Sequence, residues 1–159
     1  MNRLTDEIIN FFNKQSFTVV STVDPDGSLH NSCKGIVKIN KNGQVYLLDL
    51  YKRQTYANIR RNPQIAVTAV NEHSFKGFSL KGKARVIKKA QLSPLLMRSW
   101  EKRLNKRITR RVLKNIAGEK GHSLHPELRF PGPEYVITVK INQIVDLTPD
   151  HLKEGGEKQ

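Results

Sequence analysis

The first apolar run, Leu4, Ile8, Phe11 and Phe12, falls at helical spacing, and Thr5 with Asp6 offers cap chemistry and a first-turn acid. Residues 4–14 are therefore predicted as a helix. The texture then changes. "FTVVSTV" (17–23) is β-branched and aromatic, "DPDG" (24–27) is a turn signal, and "SLHNSCKGIVKI" (28–39) reads as a second strand. "NKNG" (40–43) turns again into "QVYLLDL" (44–50), so three strands form a meander. A helix is predicted over 54–61, ended by Asn62-Pro63 because the residue before proline avoids helical angles. Strands follow at 64–70 and at 77–87. The second alternates apolar Phe78, Leu80, Ala84 and Val86 with Ser79, Lys81, Lys83 and Arg85.

A long helix is predicted over 91–117, then a Gly/Pro-rich loop (118–133) and a last strand (134–147) that alternates Val136, Thr138 and Lys140 with Ile137, Val139 and Ile141. Six strands, mostly joined by hairpins and accompanied by helices, predict a mainly β (α+β) fold. The form expected is a small six-stranded antiparallel barrel, since closure removes exposed edges; a plain α+β sandwich is the alternative. Residues 1–150 read as one domain and 151–159 as a flexible tail.

In the long helix, Leu96, Trp100, Leu104, Ile108, Val112 and Ile116 make one i+4 apolar row, expected to be buried against the barrel or another subunit. Arg98, Lys102, Lys106, Arg110 and Lys114 make a second row, and Arg103, Arg107 and Arg111 are expected to widen that cationic face. Like charges at i, i+4 cost a few tenths of a kcal/mol each, and only Glu101 relieves them. Such a face is either solvated or an anion-binding surface for RNA, DNA or an acidic protein; a membrane surface or the acids of a partner subunit are the remaining readings. Base-stacking aromatics are missing from the cationic rows, which weakens a specific single-strand reading.

Charge sharpens this picture. The chain has 159 residues, a formal net charge of +14 and a sequence pI of about 10.1, a balance that suits anionic partners. One cysteine, Cys33, excludes an internal disulfide and a Cys-based zinc site. No apolar run approaches the roughly 20 residues that span a bilayer, and the N-terminus lacks an apolar signal-peptide core, so the expectation is a cytoplasmic protein with no membrane contact. The chain shows no HExxH, GxSxG, P-loop or GxGxxG pattern. His122 and His125 lie three apart in the Gly/Pro-rich loop and read as solvated histidines, so no metal site is expected. An enzyme with this inventory would depend on a bound cofactor for its chemistry.

The segment "DLYKRQTYANIRRNP" (49–63) stands out. Helix N-termini favour acids, yet Lys52 and Arg53 sit at the start of the 54–61 helix. Unpaired N–H groups, two cations and the neutral donors Gln54 and Thr55 make a phosphate site there, with Lys34 on the neighbouring strand. The alternative is a pair of exposed loop cations.

At these residues the chain resembles the flavin-binding split-barrel proteins related to pyridoxamine 5′-phosphate oxidase, over about residues 8–90 and more weakly over 134–149. The lysine of the oxidase's second-strand motif matches Lys34, while the arginine of that motif falls on Leu29. In the next strand motif its glycine, aromatic and arginine match Gly43, Tyr46 and Arg53. Its Thr-Asn falls on Leu48-Asp49, its serine on Lys52 and its last lysine on Gln54. The Asn-Thr and Lys-Thr pairs of smaller flavin-binding relatives look like Asn31-Ser32 and Gln54-Thr55, and "NIRRNPQIAV" is a common helix-to-strand junction of the superfamily. The oxidase's C-terminal Arg-x-His element has no match in 134–159. The resemblance implies a homodimer with FMN at its interface and oxidoreductase chemistry on an unknown substrate. It implies phosphate on Lys34, Arg53, Gln54 and Thr55, with Ser32, Cys33, Leu48, Asp49 and Leu50 along the ribityl chain and ring; Lys52, where the family has a serine, is counted with the cofactor site for its charge. Some relatives instead hold haem, with His30, His122 or His125 as axial candidates, or a deazaflavin. A non-enzymatic electron-transfer protein and a basic nucleic-acid-binding module are the other readings.

Overall fold

The computed structural model describes residues 3–119 and 134–153. The elements are α1 (Asp6–Lys14), β1 (Thr18–Val23), β2 (Leu29–Ile39), β3 (Gln44–Leu48), α2 (Gln54–Arg61), β4 (Gln64–Asn71), β5 (Lys76–Lys88), α3 (Pro94–Ile116) and β6 (Tyr135–Asp146). Among the described residues, six strands close into an antiparallel barrel in the order β1-β2-β3-β6-β5-β4, sealed by the pairing of β4 with β1. The expected barrel is thus the observed one, and the sandwich is set aside.

The period of two along each strand builds the interior. Val20, Val45, Leu47, Val67, Leu80, Ile137 and Val139 are all fully buried there. Helix α1, with Leu4 just before it, plugs the barrel through Leu4, Ile8 and Phe12, and the Phe11 ring meets Phe78 edge-on at 5.2 Å. Thr5 caps α1 by accepting the Ile8 N–H at 3.3 Å, so the cap expected from the sequence is present.

On β6 burial runs unbroken from Tyr135 to Val139. Ile137 and Val139 belong to the interior, while Val136 faces outward and packs with Val37 and Leu96 beneath α3. Tyr46, Leu48, Leu92 and Trp100 complete that outer cluster.

Helix α3 departs from the sequence-based expectation. Leu96 is buried and Trp100 half-buried, but Val112 and Ile116 are 37% and 77% exposed. The reason is helical geometry: each i+4 step advances about 40° around the axis, so five steps carry the row about 200° away from the barrel. Arg103 and Arg107, seven and eleven residues after Leu96, return to within about 20° of its face. They turn toward the barrel instead of widening the cationic face. The Arg103 guanidinium donates to Asn13 Oδ1 at 2.5 Å, and Arg107 lies over Gly35 of β2. Burial, then the Arg107 charge, presses the Arg103 pKa downward. Arg98, Lys102, Lys106, Arg110 and Lys114 remain exposed, as expected.

Candidate functional site: the start of helix α2

The chain leaves β3 at Leu48 and enters α2 at Gln54, and the five residues between them form the site's rim. Asp49 turns inward and is 4% exposed. Its Oδ1 accepts from Lys34 Nζ at 2.9 Å, and its Oδ2 accepts from the Tyr135 hydroxyl. Both carboxylate oxygens are therefore occupied and the buried charge is paired, as a buried ion requires. The Tyr135 ring meets Tyr56 of α2 edge-on at 4.9 Å. Lys52 Nζ lies 5.2 Å from the Tyr56 ring centre, and the Arg60 guanidinium 5.9 Å. A continuous chain of contacts thus runs from β2 through β3 and β6 to the first turn of α2.

Burial first, then the hydrogen bond to Asp49 and its charge, pushes the Tyr135 phenol far above its ordinary value of 10.0. An unfolded tyrosine ionises near pH 10 while the folded one holds its proton, so this contribution to stability is complete below about pH 10 and falls as the pH rises further. Tyr135→Phe should accordingly be costly at pH 8, by about 1–3 kcal/mol for the orphaned Asp49 oxygen, and less costly at pH 11. Urea melts of both proteins at the two pH values check this; an equal cost at both contradicts it.

The helix start itself is strained and positive. Lys52 has φ of 43°, in the left-handed region that costs a non-glycine residue about 1–2 kcal/mol. Arg53 is the N-cap, supplies no side-chain cap, and has no acid after it in the first turn. Its guanidinium lies 5.7 Å from the Tyr51 ring centre. Lys52 and Arg53 are exposed and neither pairs with a carboxylate among the described residues. Beside them Ser32 Oγ and the buried Thr55 Oγ1 share a hydrogen bond of 3.0 Å.

The other expected residues divide between the two sides of the barrel wall. Ser32 and Lys34 alternate onto one face of β2, and Lys34 is held by Asp49. Cys33 is exposed on the opposite face, opposite Val19 of β1. Leu48 lies under α3 and Leu50 is half-buried on the rim. Gln54 turns back, donating to Asp24 Oδ1 and Asn58 Oδ1, both at 3.0 Å. Asn58, 1% exposed, donates in turn to Asp24 at 2.7 Å and Thr22 at 3.0 Å, anchoring α2 to β1 and the following turn.

Sequence reasoning missed Tyr135, Tyr56, Asn58 and Asp24. Asn58 had a signal, a polar residue at the helix position shared with Thr55 and Ile59. Tyr135 had none, since 86 residues separate it from Asp49. Of the histidines considered as axial ligands, His30 is half-buried on β2, and His122 and His125 lie outside the described residues.

The sequence profile of pyridoxamine 5′-phosphate oxidase matches residues 4–143. The chain belongs to the pyridoxamine 5′-phosphate oxidase family. Solved structures share the fold of this family member at low identity. HupZ of group A Streptococcus has a TM-score of 0.62 at 18% identity, over 91% of this chain and 94% of its own. HutZ, the heme storage protein of Vibrio cholerae, has a TM-score of 0.52 at 17% identity, over 90% of this chain and 94% of its own. An F420 reductase has a TM-score of 0.53 at 18% identity, over 81% of this chain and 88% of its own. No curated protein matches this chain. Among the described residues no helix is long and apolar enough to cross a membrane.

Proposed function

We propose that this protein is an FMN-binding flavoprotein of the oxidoreductase class, acting as a homodimer with its cofactor phosphate at the start of α2. The observation that carries the reading is the pair of exposed cations at a helix start, Lys52 in a left-handed conformation and Arg53 at the N-cap, neither neutralised by an acid among the described residues. A phosphate there offsets the repulsion between these charges and the helix dipole. The neighbouring groups fit an anion: the Ser32–Thr55 hydroxyl pair can donate, and the Asp49 carboxylate is already occupied by Lys34 and Tyr135.

When bound, the flavin supplies the electron and hydride chemistry. The chain's own residues bind and orient. Arg53 holds phosphate charge through its planar donor fork, Thr55 and Ser32 fix it by hydroxyl, and the Lys34–Asp49–Tyr135 cluster keeps the wall behind them rigid. A dimer is supported by exposed apolar residues on adjoining strands, Phe17 just before β1, Val19 on β1 and Val70 on β4, at 56%, 39% and 60% exposure.

Titration with FMN, read by quenching of its fluorescence, tests the assignment. Arg53→Ala should weaken binding by about 1.5–3 kcal/mol, the scale of a hydrogen bond to a charged group. Unchanged affinity in that variant removes Arg53 from the site. A purified protein that takes up no FMN, or that shows a Soret band instead of flavin bands, overturns the cofactor reading. Light scattering that returns the single-chain mass of 18.2 kDa at micromolar concentration overturns the dimer.

A further inference from the structure

The positive charge of this protein is not spread over its surface. Between His73 and Gly118 the sequence carries fourteen Lys and Arg and one acid, Glu101. That segment is β5, the turn after it, and α3. On β5, Lys81, Lys83 and Arg85 are all exposed on the outer face, because the intervening Leu80, Gly82 and Ala84 point inward. The period of two spaces the three cations about 6.6 Å apart. Lys83 pairs in register with Lys140 of β6, and Arg85 with Thr138, two residues from Val136, which lies under Leu96. The strand cations therefore border the N-terminal end of the α3 footprint, at Leu96, from which α3 runs on over β2; its exposed Lys102, Lys106 and Arg110 follow one another at about 6 Å rise. None of these side chains pairs with an acid among the described residues.

We propose that this wall of β5 and α3 binds the phosphate backbone of nucleic acid, without base specificity. Each of the two rows is extended and regularly spaced instead of converging on a point, which suits a polyanion and not a single small phosphate. Duplex DNA offers one charge per roughly 1.7 Å of axis, dense enough for each cation to find a phosphate. The strand ladder and the α3 stretch from Lys102 to Arg110 have no exposed large apolar side chain to sink into lipid, those of α3 (Leu95, Val112, Leu113, Ile116) lying at its two ends, which favours nucleic acid over a bilayer surface along the cationic rows. Neither row carries an exposed aromatic to stack on a base, which leaves phosphate contacts alone.

The test is fluorescence anisotropy of a labelled mixed-sequence DNA duplex and of a labelled single-stranded RNA, from about 50 to 200 mM salt, where each phosphate contact adds about 0.9 to the log–log slope on the duplex and about 0.7 on the single strand. The protein is used as purified. Lys83→Gln/Lys102→Gln/Lys106→Gln should lose at least about tenfold in affinity and flatten the slope by about three, near one per cation removed. Lys14→Gln/Lys41→Gln/Lys153→Gln, with the same net charge, should lose much less. Thermal melts and FMN uptake report whether each variant is folded. If the first does not fold, Lys102→Gln/Lys106→Gln/Arg110→Gln, confined to the exposed side of the helix, carries the same expectation. No binding at 50 mM salt overturns the proposal, as do equal losses in both triple variants or binding to anionic phosphatidylglycerol vesicles without binding to nucleic acid.

Discussion

Asp49→Ala should destabilise this protein by about 3–5 kcal/mol, because it leaves the Lys34 ammonium buried without its counter-charge. Lys34 is 9% exposed in its side chain and lies 2.9 Å from Asp49 Oδ1. The Tyr135 hydroxyl loses its acceptor in the same stroke. Removing both charges is a different experiment. Lys34→Met/Asp49→Ala deletes the pair instead of orphaning one member, and an apolar replacement of a buried pair is often close to neutral. The double variant should therefore recover the part of the loss that comes from the unpaired ammonium and keep about 1–3 kcal/mol for the Tyr135 hydroxyl left without its acceptor, and the cycle of urea melts gives the coupling directly. Additive losses would show that the two residues act separately. The cycle also bears on the site. If the cluster is a rigid wall and not a phosphate ligand, the double variant should keep FMN affinity close to that of the parent, while Arg53→Ala does not.

Gly82→Ala should cost about 3 kcal/mol or more, at or above the top of the usual range for overpacking. The β5–β6 register shifts between Lys81 and Gly82, and β6 comes so close there that a Cβ at Gly82 would sit 2.1 Å from the Lys140 carbonyl oxygen and 2.8 Å from its carbon. These are backbone atoms held in the ladder, so they cannot swing aside. The glycine is required by close approach and not by its own angles. Gly27 is the useful contrast. Its φ is 88°, yet nothing lies within 4 Å of a Cβ built there. Gly27→Ala should cost only the left-handed penalty, about 1–2 kcal/mol. Denaturant melts of the two variants separate the mechanisms, and a Gly82→Ala cost no larger than that at Gly27 would refute the close-approach argument.

Local pattern determined a great deal of this protein. The alternation of "QIAVTAV", the turn chemistry of "DPDG" and "NKNG" and the cap at Thr5 act within a few residues, so the helix-and-strand order and the barrel were legible in the sequence. So was the oddity of Lys52 and Arg53 at a helix start, because a charge in the wrong place relative to a dipole is a local fact. The path of α3's apolar row was not. An i+4 spacing looks like one face on paper but winds around the helix, and only the place where β3 and β6 present Leu48 and Val136 decides that the contact ends near Trp100 and that Arg103 and Arg107 turn inward. Lys34 shows the same limit at the site. Strand spacing puts it near the helix start, yet whether its charge is available depends on Asp49, fifteen residues on, and on Tyr135, which closes the barrel from the far end of the chain. A buried charge is governed by whichever groups the fold brings within hydrogen-bond reach, and sequence separation says nothing about that distance.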